Sequence, residues 1–284
     1  MRESALSRYG LRFSALGYLA AIIVFPCSMI LRKTFQNGVE PVLDALADPA
    51  FVHALQLTLV AVLIAVPTNT IFGVVCAMAL VRGNVKRGAW FFNSAIGLPL
   101  ALSPVVVGLS LILVYGNDGW LGTWLVENGI QIIFSTPGIV LATVFVTLPF
   151  VVREVVPVLR EVGTDQEEAS WTLGATRWQT FRRITLPAIR WGVAYGVVLT
   201  TARALGEYGA VAVVSGRLAG KTETLTIHVD EQYLRFNEVA AYTTSLVLAL
   251  LAVFTLVAMN VFKPRAQEEV ADVDSDPSGN EALR

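Results

Sequence analysis

Five long stretches of this chain contain no aspartate, glutamate, lysine or arginine, and they limit the folds that the chain can adopt. They cover residues 13–31, 49–81, 88–117, 128–152 and 239–262. Each is long enough for the roughly 20 residues that a helix needs to cross a bilayer. A sixth stretch, near 189–214, is equally apolar apart from Arg203 and Glu207. The pattern predicts a chain that crosses a membrane several times.

The predicted fold class is an all-α polytopic membrane protein with six transmembrane helices. The helices are expected near residues 13–31, 54–80, 90–115, 132–152, 190–213 and 239–262. Helices are favoured because a backbone in lipid must satisfy its hydrogen bonds internally, and the sequence lacks the short alternating segments of a membrane barrel. The composition agrees, since only 15% of the residues are charged, against about 25% in soluble domains.

The chain divides into three parts around these helices. Residues 1–50 hold the first helix, which follows three arginines and is followed by Arg32-Lys33. Because no small-residue cleavage site follows it, a retained signal anchor is expected. Residues 51–262 hold the other five helices. Residues 263–284 are acidic and polar without aromatic residues, and a disordered tail is predicted.

Lysine and arginine predict the orientation in the membrane. Fourteen of them lie in four segments, and five lie in the other three loops. The four rich segments are 1–12, 82–89, 153–188 and the tail after 262, and the three poor ones are 32–50, 116–131 and 215–238. Because these residues accumulate on the cytoplasmic side, both termini and the 153–188 loop are predicted to be cytoplasmic.

The 153–188 loop has the signals of two short helices. Segments 164–167 and 176–179 each fit the capping-box pattern. Gly174 lies between them, where the end of a helix favours a residue that can take positive φ. The loop is therefore predicted to form helix, turn, helix, with a small apolar face able to dock into a groove of a soluble partner. A hairpin that lies on lipid and binds nothing is the alternative.

A motif in this loop combines charged, small and proline residues at fixed spacing. It runs Glu168-Ala169-Ser170, three residues, Gly174, nine residues, then Ile184-x-Leu186-Pro187. This pattern resembles the EAA loop of ABC importer permeases, from which it departs only at Ser170, where a second alanine is usual. The resemblance implies that the residues which couple the chain to an ATPase are Glu167, Glu168, Ala169, Ser170, Gly174, Ile184, Leu186 and Pro187.

The resemblance extends over about residues 50–262. Segments 98–108, 147–157 and 202–210 are similar to sulfate/thiosulfate permeases, and the chain looks closer to the CysW-type subunit than to the CysT-type one. This implies a type I ABC importer permease fold with a cytoplasmic coupling helix, and an ABC transmembrane type-1 domain over 51–262. Because molybdate and tungstate permeases are built similarly, the transported anion stays open.

The resemblance also implies what the chain works with. It would be a multi-pass cell-membrane subunit, without enzymatic activity of its own, in an ATP-driven importer of sulfate or thiosulfate. The implied partners are the lipid bilayer, a CysT-type permease subunit, two cytoplasmic ATPase subunits and an extracytoplasmic sulfate-binding protein. ATP and Mg would bind to the ATPase, so no cofactor on this chain and no nucleic acid partner are expected.

The chain's other motifs agree with a non-catalytic subunit. Segment 215–222 approximates a P-loop, but serine replaces its first glycine, and the segment follows a membrane span rather than a strand. Cys27 and Cys76 are expected to be small buried hydrophobes. His53 and His228 are far apart in sequence, so no metal site is predicted.

Arg203 and Glu207 are the ionisable residues well inside a predicted span. Their i,i+4 spacing places both on one helix face, and such residues rarely face lipid. One hypothesis is that Arg203 supplies transient charge to a passing tetrahedral dianion while Glu207 holds Arg203 in place; the alternative is an ion pair that only fixes packing. The remaining candidates for an anion path are Ser103, Pro104 and Thr200.

Two other classes of protein are alternatives to a permease. An ion-driven secondary transporter would be expected to show an intramembrane coupling site and an inverted repeat, and neither is clear in the sequence. An intramembrane enzyme would need a catalytic constellation such as GxSxG or HExxH, and the sequence has none.

Overall fold

The computed structural model describes residues 13–14, 16–83 and 89–261, without the side chains of 89–93 and 259–261. Every regular element in this part of the chain is helical. Three segments used for the sequence predictions lie outside it: the arginines before the first span, most of the 82–89 loop, and the tail at 263–284.

The helices follow one another with short connections. In chain order they are α1 (Phe25–Phe35), α2 (Glu40–Ala47), α3 (Pro49–Arg82), α4 (Ala89–Ala101), α5 (Pro104–Tyr115), α6 (Gly122–Glu127), α7 (Thr136–Val162), α8 (Asp165–Thr172), α9 (Arg177–Thr180), α10 (Leu186–Leu205), α11 (Gly209–Val214), α12 (Leu225–Leu234) and α13 (Glu238–Val261). Two π-helical turns, Ala20–Val24 and Phe181–Thr185, run directly into α1 and α10.

Five helical stretches of the described residues are long and apolar enough to cross a membrane. They are Leu16–Phe35, Pro49–Arg82, Thr136–Val162, Arg177–Leu205 and Glu238–Ala258. A sixth span is a pair of helices, Ser94–Ala101 and Pro104–Tyr115, bent by 113° at the break between them. With the bent pair counted as one span, the predicted all-α membrane fold with six spans is confirmed.

The bend in the third span follows from Pro104. Proline has no N–H to donate, and it forces the preceding residue out of the helical region. Ser103 accordingly has an extended backbone, with φ −61° and ψ 136°, and α5 begins with Pro104 in its first turn. One apolar stretch therefore becomes two helices that point in different directions.

The fifth span differs in its limits from the 190–213 expected. It begins earlier, because the π-helical turn Phe181–Thr185 joins α10 to the preceding loop without a break. It ends earlier, at Leu205, with Gly206 as the C-cap. Glu207 then accepts the backbone N–H of Ala210 at 2.9 Å, which favours the start of a separate helix, α11.

Helices α3, α7 and α10 form the centre of the fold, and glycines allow their close contact. A Cβ atom built on Gly73 of α3 would lie 2.6 Å from the Cβ of Val151 on α7. On α10, a Cβ on Gly196 would lie 3.0 Å from the Cα of Val151. The buried side chain of Asn69 adds a polar link between α3 and α7, since its Nδ2 donates to Thr147 Oγ1 at 2.7 Å.

The first span packs loosely on the rest of the chain. None of the most apolar part of Leu16–Phe35 is buried, and its α1 part contacts α13, where Lys33 pairs with Glu238 at 3.4 Å. Cys27 is exposed and Cys76 is partly buried, and both are free thiols. The expectation that both cysteines are buried is wrong for Cys27, because no other part of the described chain covers the face of α1 that carries it.

Candidate functional site

The 153–188 loop folds into two helices joined by a tight turn, as predicted, and we call residues 164–187 the elbow. Helix α8 ends where Gly174 takes a φ of +83°. The N–H of Gly174 donates to the carbonyl of Trp171 at 3.0 Å, and the N–H of Ala175 donates to that of Ser170 at 3.0 Å. This paired arrangement is a Schellman motif, which satisfies the last carbonyls of the helix.

One of the two predicted capping boxes forms. At the start of α9, the N–H of Gln179 donates to Thr176 Oγ1 at 3.3 Å, and the N–H of Thr176 donates to Gln179 Oε1 at 2.8 Å. The box predicted at Thr164 is wrong, since the side chain of Thr164 caps nothing in α8. Its presumed partner, Glu167, turns away from the helix start and binds other residues.

Glu167 joins the elbow to the end of α3 and, within the elbow, contacts the turn that leads into α10. Its Oε2 lies 3.0 Å from Nε of Arg82, the last residue of α3, and its Oε1 accepts a hydrogen bond from Thr185 Oγ1 at 2.8 Å. Arg82 also donates through Nη2 to the carbonyl of Gly163, just before the elbow. Glu167 and Thr185 are buried. We call the set Arg82, Gly163, Glu167 and Thr185 the Arg82–Glu167 joint.

Ser170, the one departure from the EAA pattern, has a structural role. Its hydroxyl donates to the carbonyl of Glu167 at 2.7 Å and lies 2.8 Å from Thr180 Oγ1. Both hydroxyl side chains are buried. Because Ser170 is on α8 and Thr180 is on α9, this contact clamps the two elbow helices together.

Another part of the elbow surface is apolar and open. Leu173 is 88% exposed and Trp178 is 67% exposed, and Trp171 is also exposed. A groove of about 430 Å³ runs between the two helices and is lined by Ser170, Leu173, Gly174, Ala175, Gln179, Thr180, Arg183 and Ile184. Exposed apolar patches of this kind mark surfaces that a partner covers.

The eight motif residues differ in their exposure. Glu167 and Ser170 are buried and hold the elbow in place. Five others lie at its surface or on the rim of the groove, and Ile184 is partly buried in the groove wall. The surface group is Glu168, Ala169, Gly174, Leu186 and Pro187. Pro187 lies in the first turn of α10, where a proline is tolerated.

The intramembrane charges form an ion pair at the end of the fifth span. Arg203 Nη1 lies 2.6 Å from Glu207 Oε2, with the Arg203 side chain 32% exposed and that of Glu207 1% exposed. The other carboxylate oxygen of Glu207 accepts the N–H of Ala210, and its backbone carbonyl accepts Thr226 Oγ1 at 2.8 Å. Glu207 is therefore a structural anchor, and Arg203 is the member of the pair that reaches a surface.

The other candidates for an anion path do not all lie near this pair. A Cβ on Gly209 would lie 2.9 Å from Pro104 Cβ, so α5 begins against the turn that carries Glu207. Ser103 is exposed beside it. Thr200 is fully buried, and its hydroxyl has no hydrogen-bond partner among the described residues. Thr200 therefore lies in the protein interior and does not reach a surface.

Sequence reasoning missed a polar cluster in the connection after α11. Arg217 Nη1 donates to Asp230 Oδ2 at 2.9 Å, Arg217 Nη2 donates to Tyr208 Oη at 2.9 Å, and Tyr208 donates to Asp230 at 2.7 Å. Burial lowers the pKa of Arg217, but Tyr208 and Asp230 outweigh that effect and raise it above its ordinary value. The P-loop-like segment 215–222 lies here between two helices, without the strand that a P-loop follows.

Comparison with known proteins agrees with this architecture. A family described as "Binding-protein-dependent transport system inner membrane component" matches residues 14–268. The chain is 52% identical to "Sulfate transport system permease protein CysW" of Synechocystis sp., over 91% of this chain and 93% of that protein. It is 46% identical to the protein of the same name from Escherichia coli (strain K12), over 88% and 86%.

A solved structure supports the fold. The chain is similar, with a TM-score of 0.75 and 15% identity, to a chain in the "Crystal structure of a bacterial ABC transporter involved in the import of the acidic polysaccharide alginate". The match covers 90% of this chain and 95% of that one. With a family match over most of its length and close relatives in two bacteria, this chain belongs to the family of binding-protein-dependent transport system inner membrane components.

Proposed function

We propose that this chain is the transmembrane permease subunit of an ATP-driven importer of sulfate or thiosulfate. The observation that carries the anion class is the 52% identity to a sulfate transport permease over nearly the full length of both chains. The six spans and the family match support a transport role. Molybdate or tungstate import and ion-driven secondary transport are outcomes that the test below separates.

The energy comes from a separate subunit that contacts the elbow. The elbow carries this part of the proposal, because its buried polar contacts hold it rigidly while Leu173 and Trp178 stay exposed. A helix with exposed apolar residues suits a groove on a soluble protein. ATP and Mg bind to that ATPase, and this chain needs no cofactor of its own.

The proposed assembly places the elbow and both termini in the cytoplasm. The excess of lysine and arginine in the segments on that side supports this orientation. Two ATPase subunits bind from the cytoplasm, a CysT-type permease pairs with this chain in the membrane, and a sulfate-binding protein docks from outside. The 215–238 connection, with its ordered Arg217 cluster, is the surface offered to the binding protein.

Transport then proceeds by alternating access. Closure of the ATPase dimer displaces the elbow, and the spans exchange between two states that bind the anion differently. Arg203 offers a positive charge to the dianion on its way, because it is the exposed member of the ion pair. Glu207 keeps the guanidinium in position throughout.

The test is purification of the complex in detergent, followed by uptake assays in a strain that lacks the gene. We expect a soluble ATPase to co-elute with the chain, and deletion of residues 164–184 to abolish sulfate-stimulated ATPase activity. Labelled sulfate, thiosulfate and molybdate, offered in turn, identify the anion. Vesicles that hold this chain alone and still accumulate sulfate uphill would overturn the proposal and favour a secondary transporter.

A further inference from the structure

Among the ion pairs of the described residues, the Arg82–Glu167 joint is a buried one that links the elbow to a membrane span distant in sequence, α3. Glu167 binds Arg82 at the end of α3 and Thr185 at the end of the π-helical turn that leads into α10. Arg82 also binds the carbonyl of Gly163, at the end of α7. Three spans therefore meet at one carboxylate and one guanidinium.

We propose that the Arg82–Glu167 joint makes the elbow and the adjoining ends of α3, α7 and α10 move as one body, so that displacement of the elbow becomes displacement of the spans. The proposal rests on the proposed function, since it assigns a positioning role within ATP-driven transport. The side chains of Arg82 and Glu167 are only 15% and 6% exposed. Their role is to transmit motion and not to bind the ATPase.

Burial distinguishes this pair from an ordinary surface contact. An exposed ion pair contributes little, because water competes for both charges, whereas a buried carboxylate needs its partners. Both oxygens of Glu167 have partners, one charged and one neutral. Since the partners come from different elements, the carboxylate has one low-energy position, and the elbow cannot tilt without breaking these contacts.

A second feature places the joint outside the docking surface. Glu167 faces inward from α8, while the next residue, Glu168, is exposed on the same helix. The apolar surface formed by Leu173 and Trp178 is likewise exposed. Replacement of Glu167 therefore leaves the chemistry of the docking surface unchanged, and the effects on docking and on transmission can be measured separately.

The experiment uses the assembled complex in proteoliposomes, with labelled sulfate. For R82Q, E167Q and the double variant, we measure the ATPase retained after purification and the sulfate imported per ATP hydrolysed. We expect the ATPase to remain bound and the import ratio to fall about tenfold, within the range of typical coupling free energies. The double variant should fall no further than the worse single variant, because both changes remove one interaction.

Control variants separate positioning from general stability. K33Q breaks the exposed pair with Glu238 and should leave the import ratio unchanged. R82K keeps the charge and should retain more of the ratio than R82Q. T185V removes one hydrogen bond to Glu167 and should lower the ratio less than E167Q. If R82Q or E167Q prevents assembly, the import ratio of T185V becomes the test. An import ratio equal to that of the wild type in T185V would contradict the proposal.

The possible results are distinct. If assembled R82Q and E167Q complexes import sulfate with the wild-type ratio, the joint has no role in coupling, although the proposed function stands. If the wild-type complex contains no ATPase, the proposed function fails and the role of the joint fails with it. A lowered melting temperature without a change in the import ratio shows a structural role only and also overturns the inference.

Discussion

Arg203 and Glu207 form an ion pair at 2.6 Å, but their side chains differ in burial. The side chain of Glu207 is almost completely buried, whereas about a third of the Arg203 side chain is exposed. The pair is therefore asymmetric. The burial of Glu207 agrees with the packing hypothesis, and the hypothesis that the pair lines an anion path stays a prediction. Glu207 fixes the turn between α10 and α11 by accepting the N–H of Ala210, and the Arg203 side chain reaches a surface.

Replacement of Arg203 by glutamine is expected to abolish uptake of labelled sulfate while the complex still assembles. The variant removes the partly exposed positive charge from the span and keeps a polar, uncharged side chain. R203K, which keeps the charge, should retain part of the uptake. Uptake by R203Q at the wild-type rate would remove Arg203 from the mechanism.

The two carboxylate oxygens of Glu207 make different contacts, and each contact should contribute to stability. Oε2 pairs with Arg203, and Oε1 accepts the N–H of Ala210. In E207Q, the side-chain carbonyl can still accept the N–H of Ala210, so the start of α11 is preserved. In E207A that acceptor is lost, and such losses cost about 1 kcal/mol. Thermal unfolding of the purified complex should rank the wild type above E207Q and E207Q above E207A; equal stability of the two variants would contradict the capping role.

Replacement of Gly174 by alanine should destabilise the elbow because of the backbone conformation, and not because the new Cβ clashes with a neighbour. A Cβ at this position meets no atom within 4 Å, but the φ of +83° is unfavourable for alanine by about 1 kcal/mol or more. We expect G174A to loosen the elbow and to reduce the ATPase that co-purifies. The matched control is G17A, where the space is also open and φ is ordinary; it should behave as wild type.

The two threonines of the elbow provide a paired test of capping. T176A removes the side chain that caps α9, at a cost of about 1 kcal/mol. T164A removes a side chain that caps nothing. Hydrogen exchange at the amide of Gln179 should therefore speed up in T176A and stay unchanged in T164A. Similar exchange in both variants would show that the capping box does not stabilise the elbow.

Packing of α5 on α11 should depend on Gly108. A Cβ there would lie 2.8 Å from Val213 Cβ and 2.9 Å from the carbonyl of Ala210, which is backbone and cannot rotate away. G108A should lower stability by about 1–3 kcal/mol, as overpacking does. G97A, on the other arm of the bent span, meets nothing within 4 Å and should be neutral in the same melting experiment.

Local signals in the sequence predicted local structure well. The turn at Gly174 and the capping box at Thr176 depend on residues within a few positions of one another, and both form. Long apolar runs likewise predicted the spans, because bilayer thickness sets helix length. The residues that resemble the EAA loop could be recognised in the same way, since the pattern is contiguous.

Contacts distant in sequence could not be predicted in this way. Thr164 and Glu167 have the spacing of a capping box, but Arg82, 85 residues away from Glu167, offers the carboxylate a charged partner instead. The three-residue spacing between Thr164 and Glu167 does not indicate that Arg82 lies close to Glu167 in the fold. Thr200 shares the face of Arg203 by helical periodicity, yet neighbouring helices cover it completely.

The 113° bend in the third span limits what can surround the chain at Ser103. The extended backbone at Ser103 interrupts the helical hydrogen bonds at a point that is exposed in the single chain. Such a break is tolerated at membrane depth only where protein or a water-filled cavity covers it. The break at Ser103 is therefore expected to face another protein surface or water, and not lipid tails.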